Sequence, residues 1–219
     1  MKFPNAFDGI KKLFTAEILE IVSIVAGVIA GFAGAIAYGA DQTGHPEAVG
    51  APAAIAAVVA IIAAILLIAS AIISFLGINN ASKDEPEFKN AVTAVIVSIV
   101  LSVIAGFLPD SLKVVAALID TVNTCLSVYI SYTVVKGICN LAAQLNNAEM
   151  VERGNRVITY IIVGALLGAI ADFVQTVWIK DPKANLNVIL SAVILIFGLF
   201  RGVAYIVYLS KAKKMLQNA

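Results

Sequence analysis

Two aspartates stand inside long apolar stretches of this chain. In a bilayer such positions are the first place to look for chemistry. Asp120 is followed by Asn123, Thr124, Ser127 and Ser131, so a helix through it carries a carboxylate, an amide and three hydroxyls along one stripe. Asp172 sits near the end of another apolar run, roughly 9 Å before Trp178, and Asp120 lies roughly 12 Å below the start of its own run. Both therefore fall in the same half of a membrane. An ionisable side chain there costs about 2.5–3.5 kcal/mol on insertion scales unless it is paired or wetted. The expectation is that Asp120, Asn123, Thr124 and Asp172 form an outward-facing polar site for a cation or for a cationic or hydroxylated solute. The competing expectation is that each carboxylate is protonated, or bonded to a neighbouring Ser or Thr, and only locks helices together.

A second set, Glu20, Lys136 and Arg201, falls near the opposite interface, where the two cations can snorkel and the glutamate can pair with either. These three are expected to serve structure. Histidine chemistry is excluded by supply, since the single histidine, His45, lies in a loop beside Pro46 and Glu47. No HExxH, GxSxG, phosphate-cradling GxxxxGK[ST] or CxxC motif occurs, so neither an enzyme, a metal site nor a cofactor is expected.

The elements that must position these residues are written in the composition. Of the 219 residues 61% are apolar and only 13% charged, with a mean hydropathy of +0.97, against about 25% charged in an average soluble domain. Runs of about 20 or more apolar residues, enough to cross a hydrocarbon layer of about 30 Å, occur near 17–39, 51–77, 91–108, 112–139, 157–178 and 185–209. Each is continuously apolar rather than alternating, which calls for helices and not barrel strands. The predicted class is all-α: a polytopic membrane protein with six transmembrane helices. Cys125 and Cys139 share one span about 21 Å apart and cannot bridge within it.

The spans repeat. Ile21–Phe32, IVSIVAGVIAGF, returns at Ile96–Phe107 as IVSIVLSVIAGF with ten of twelve positions identical, and a third copy at Ile162–Phe173 matches the second at six of twelve. Asp172 stands where the other two copies have Gly. A period of two spans brings the chain back to the side it left, so the copies are parallel. Gly77-Ile78-Asn79-Asn80 and Gly137-Ile138-Cys139-Asn140 echo each other at the ends of the second and fourth spans. Three hairpins result, near 17–77, 91–139 and 157–209.

Lys and Arg concentrate before the first span, after the second and fourth, and in the 210–219 tail, which puts both termini in the cytoplasm by the positive-inside rule. The first run is a full span and reads as the insertion signal itself. Residues 1–15 space Phe3, Phe7, Ile10 and Phe14 as one face of an interfacial amphipathic helix. Gly27-x-x-x-Gly31 offers a close helix approach, and Ser82-x-x-Glu85 reads as a capped turn. A net charge of +1 without a basic stripe argues against nucleic acid. The expected setting is a bacterial or archaeal cytoplasmic membrane, with the lipid bilayer, a further copy or a membrane-complex subunit as partners. The expected function is a transporter or channel-like protein, the alternative a non-transporting scaffold or regulatory subunit.

Overall fold

Apolar runs of this length can satisfy their backbone groups away from water only by bonding within the segment, as a helix does. The computed structural model describes residues 2–42, 49–109, 112–177 and 185–219, without the side chains at 41, 42, 113, 171–177, 185–196 and 199. Among these residues the chain forms six α-helices: α1 (Pro4–Gln42), α2 (Gly50–Ala81), α3 (Glu87–Gly106), α4 (Lys113–Gln144), α5 (Ala148–Val177) and α6 (Asn185–Gln217). Helices α1 to α5 are long and apolar enough to cross a membrane, consistent with an α-helical membrane protein. His45, Asp110, Ser111, Trp178 and the side chain of Asp172 lie outside the described residues.

Helix ends follow local chemistry. Pro4 opens α1, and Pro52 sits in the first turn of α2, where a missing N–H costs nothing. Pro86 precedes α3 without any side-chain cap. The expected Ser82–Glu85 cap is not formed, because Ser82 turns its hydroxyl back to the Asn79 carbonyl at 2.8 Å and Glu85 reaches across to α4. At the end of α4, Asn146 takes a left-handed φ of 55°. The Asn147 and Asn146 N–H groups then close on the Ala142 and Ala143 carbonyls at 2.9 and 3.0 Å. Asn147 also starts α5, its side-chain oxygen accepting the Met150 N–H at 3.0 Å. A single asparagine pair thus reverses the chain between two long helices.

The chain divides into two compact units, Lys12–Gly77 and the combination of Met1–Lys11 with Ile78–Ala219. In the smaller unit α1 and α2 run antiparallel, tied by Ser23 donating to the Ala63 carbonyl at 2.8 Å and by Ser70 donating to the Ala16 carbonyl at 2.9 Å. Both serines are buried. Gly27 and Gly31 have no neighbour where a Cβ would stand, whereas one at Gly34 would touch the Ala56 methyl. The close approach therefore lies a turn further along α1 than the Gly-x-x-x-Gly spacing implies.

In the larger unit α3, α4, α5 and α6 each pack on the next in chain order, and α4 also touches α6. Its core sits at the end that carries both termini, where Ile10, Ile78, Phe88, Val135, Ile138, Leu141 and Leu209 are all buried. Away from that end Ile99, Val103, Val114, Leu118 and Val122 are exposed, as side chains facing lipid tails of equal polarity are free to be. The first three turns form no separate helix. They run on into α1, and they bury Phe3, Ala6 and Ile10 while Phe7 and Phe14 are half-buried.

Candidate functional site

Helix α4 carries the predicted polar stripe, and its residues divide between two faces. Asp120, Thr124 and Ser127 are exposed. The hydroxyls close on their own helix: Thr124 donates to the Asp120 carbonyl at 3.0 Å, Ser127 to the Thr124 carbonyl at 2.9 Å and Ser131 to the Ser127 carbonyl at 3.0 Å. Such back-bonding satisfies a hydroxyl where no water is at hand. Asn123, one residue and so about 100° around from Thr124, points at α3 instead. Its oxygen accepts from Ser98 at 3.1 Å, and its amide donates to Ser102 at 3.2 Å. Asn123 is thereby engaged in holding two helices together, and the open stripe is left to Asp120 and the hydroxyls. The fourth expected member, Asp172, has its backbone in α5.

Of the expected ion-pairing trio, Glu20 belongs to the smaller unit and Lys136 and Arg201 to the larger. Glu20 is exposed on α1. Lys136 is exposed on α4 with its Nζ 5.5 Å from the centre of the Tyr132 ring, a cation–π contact. Arg201 on α6 is half-buried, and its Cδ would lie 3.4 Å from a Cβ at Gly164 of α5.

A second polar constellation, at the end bearing the termini, was not singled out from the sequence. Glu85, only 6% exposed, accepts from the Asn140 amide at 2.9 Å and from the Gln144 amide at 3.1 Å. Beside it Asp84 takes the Asn5 amide and the Ala6 backbone N–H, both at 2.8 Å. It therefore caps the start of α1 from a turn 78 residues away in sequence. Asp8 accepts from Asn80 at 2.6 Å. At the base of α5 and α6, Glu149 is ion-paired with Arg153 at 2.6 Å and also feels the charge of Lys211. The signal that could have found these contacts is the Gly-Ile-x-Asn echo, whose two asparagines, Asn80 and Asn140, both donate to carboxylates.

Where α4, α5 and α6 meet, the Cys139 thiol lies 3.4 Å from the Tyr208 hydroxyl. A Cβ on Gly154 would collide with both groups. Gly137 likewise lies under the Phe88 ring, which a Cβ would approach to 2.7 Å. A shallow depression of about 460 Å³ beside the α4–α5 turn is lined by Asn147, Glu152 and Asn155 among others, without an aromatic or cationic side chain. Among the described residues no group of three or more His, Cys, Asp or Glu side chains is placed to hold a metal ion.

Compared with known proteins, the chain matches no family, no curated protein and no solved structure.

Proposed function

We propose that this protein is a small membrane transporter or channel-like protein whose solute path runs along the open stripe of α4. The observation that carries this reading is Asp120. Its carboxylate stands exposed on α4 beside exposed Val114, Leu118 and Val122, with Thr124 and Ser127 exposed on the same face as Asp120. A carboxylate kept only to join helices would be expected to turn toward a neighbour, as Asn123 does toward Ser98 and Ser102. A carboxylate lining a path has reason to stay open, and its charge favours cations or cationic solutes. Asp172 stays in the proposal as a second acidic position in the same half of the bilayer.

The architecture proposed for this function is three parallel copies of one helical hairpin with both termini cytoplasmic. Supporting the copies, the third position of each repeat faces the following helix: Ser23 bonds α2, Ser98 bonds α4, and Gly164 lies against Phe197 and Arg201 of α6. The bases of the first two hairpins add a carboxylate accepting from an asparagine of the second helix, in the pairs Asp8 with Asn80 and Glu85 with Asn140. Lys83, Lys89, Arg153, Arg156 and Lys214 all lie at this end, which favours its cytoplasmic placement.

A non-transporting subunit is the second reading. It is favoured by the concentration of packed core and buried polar bonds at the end with the termini, a rigid base suited to docking. Reconstitution separates the two. Asp120→Asn in folded protein should reduce cation flux into vesicles at least tenfold if α4 lines the path, whereas equal flux in the variant and the unaltered protein, or none in either, would reject transport along α4.

A further inference from the structure

We propose that Glu85 is a proton-binding site, and that the proton it exchanges is coupled to flux along α4. The coupling rests on the reading of α4 as the path wall, whereas the site stands on its own geometry. Glu85 is 6% exposed, and all of its bonds lie within the larger unit. Its Oε1 accepts the Asn140 amide at 2.9 Å and, more loosely, the Glu87 backbone N–H at 3.5 Å. Its Oε2 accepts the Gln144 amide alone, at 3.1 Å. Among the described residues no Lys or Arg bonds this carboxylate. The charged groups on the elements around it are Lys2 and Asp8 of the first segment, Lys83 and Asp84 of the turn, Glu87 and Lys89 of α3, and Lys136 of α4. Asp84 is taken up by Asn5 and Ala6, and Asp8 by Asn80. Lys2 reaches the Gln144 backbone carbonyl at 3.3 Å, and Lys136 stands by the Tyr132 ring.

That set of partners decides what the carboxylate can do. A buried carboxylate paired with an ammonium or guanidinium is held charged, because protonating it leaves the cation buried and alone. Amide partners impose no such lock, since Asn and Gln carry an acceptor oxygen beside their donor nitrogen. A proton taken from water onto a free lone pair of Oε2 makes a neutral acid. Gln144 then turns its amide over, so that its oxygen accepts the new O–H where its nitrogen had donated. Asn140 and the Glu87 N–H keep Oε1 throughout. Release is the reverse: the O–H bond breaks, its electron pair stays on Oε2 and the proton returns to water. Gln144 is exposed and Asn140 half-buried, so the amide that must turn is the one free to do so, and it gives the proton its way to solvent. Charged or neutral, Glu85 keeps a partner on both oxygens. Buried carboxylates able to exist in two states are the parts from which proton relays in membrane proteins are built.

Infrared difference spectra of the full chain in lipid vesicles test the site. Lowering the pH from about 8 to about 4, the span in which carboxyls of folded proteins titrate, should raise the carbonyl band of a water-excluded carboxylic acid, worth one carboxyl per chain, while the helical amide signal holds. Glu85→Gln should lose that band. Gln144→Leu, made at an exposed position, should keep the band and shift its frequency, because the acid no longer has the oxygen it donates to. No such band before the chain unfolds, or a band that neither substitution alters, would overturn the proposal. Proton movement followed with a pH-sensitive dye during cation flux into the same vesicles keeps the two readings apart. Flux accompanied by proton movement that Glu85→Gln abolishes supports both. Flux without proton movement removes the proposal and leaves transport standing. The band without any flux leaves the proton site standing and removes transport, and the coupling with it.

Discussion

Ser98 of α3 donates its hydroxyl to the Asn123 side chain of α4 at 3.1 Å, and Ser23, the third residue of the similar stretch Ile21–Phe32, donates to the Ala63 backbone of α2 at 2.8 Å. One hydroxyl position thus serves two helix pairs, once against a side chain and once against a carbonyl. Interhelical bonds of this kind average about 0.6 kcal/mol in membranes. Asn123→Ala, which removes two of them, should cost about 1 kcal/mol, read as a lower midpoint of thermal unfolding in detergent. Flux per folded molecule should be unchanged, because Asn123 faces α3 and not the stripe. A loss of flux at unchanged stability would return Asn123 to the site.

The Glu85 cluster should matter more. Glu85 is buried, Asn140 half-buried and Gln144 exposed, so truncating the carboxylate strands chiefly the Asn140 amide while water can take up that of Gln144, and a stranded donor costs about 1–3 kcal/mol. Glu85→Ala should therefore be among the most destabilising single changes at this end of the molecule. Glu85→Gln, which keeps one acceptor oxygen, should lose less. A double-mutant cycle with Asn140→Ala should show coupling, since Asn140 and Glu85 are 2.9 Å apart. Additive losses would mean that the bond seen between them contributes nothing to folding.

How much of this was legible beforehand follows the range of each interaction. The helices were legible because an apolar run of span length has no other backbone solution, and the helices overrun the predicted spans chiefly at the end with the termini. The stripe of Asp120, Thr124, Ser127 and Ser131 was legible because helix periodicity is local. That Asn123 leaves the stripe for α3 was not, because a spacing of three residues fits one face loosely and the neighbour across the gap decides. The Glu85 contacts were hidden for the same reason. Their partners lie 55 and 59 residues away, and nothing local marks a glutamate that will be buried. The amphipathic start of the chain was recognised as a helix, yet its buried face turns on Ala6 as much as on phenylalanine, and a small residue carries no hydrophobic signal of its own.

The Glu149 contacts should behave unlike those of Glu85. Glu149 and Arg153 are exposed at 72% and 39% of their side-chain surfaces, so water and salt screen the pair and both ends stay solvated when it is broken. Glu149→Ala should leave the unfolding midpoint where it is, within error, and raising salt to about 1 M should leave the unaltered protein equally unaffected at this site. A marked loss of stability would show that Glu149 is covered in the assembled protein, by a second copy or by another subunit.

Gly154 gives the sharpest packing test. It admits the Cys139 thiol of α4 and the Tyr208 hydroxyl of α6 to the surface of α5 at once, and a single added methyl would strike both. Tyr208 is 2% exposed, so its hydroxyl and the Cys139 thiol can yield only by repacking within the contact between the three helices. Overpacking of this kind costs about 1–3 kcal/mol. Gly154→Ala should lower the unfolding midpoint accordingly. Removing the struck groups with Cys139→Ala and Tyr208→Phe should recover most of the loss, so that the triple variant is more stable than the sum of its parts predicts. That non-additivity separates a steric cause from a helix-propensity effect, since alanine favours a helix over glycine by about 1 kcal/mol. If Gly154→Ala is neutral or stabilising on its own, then α4, α5 and α6 meet less closely than the Cys139 and Tyr208 side chains imply, and the rigid base assigned to this end loses its central contact.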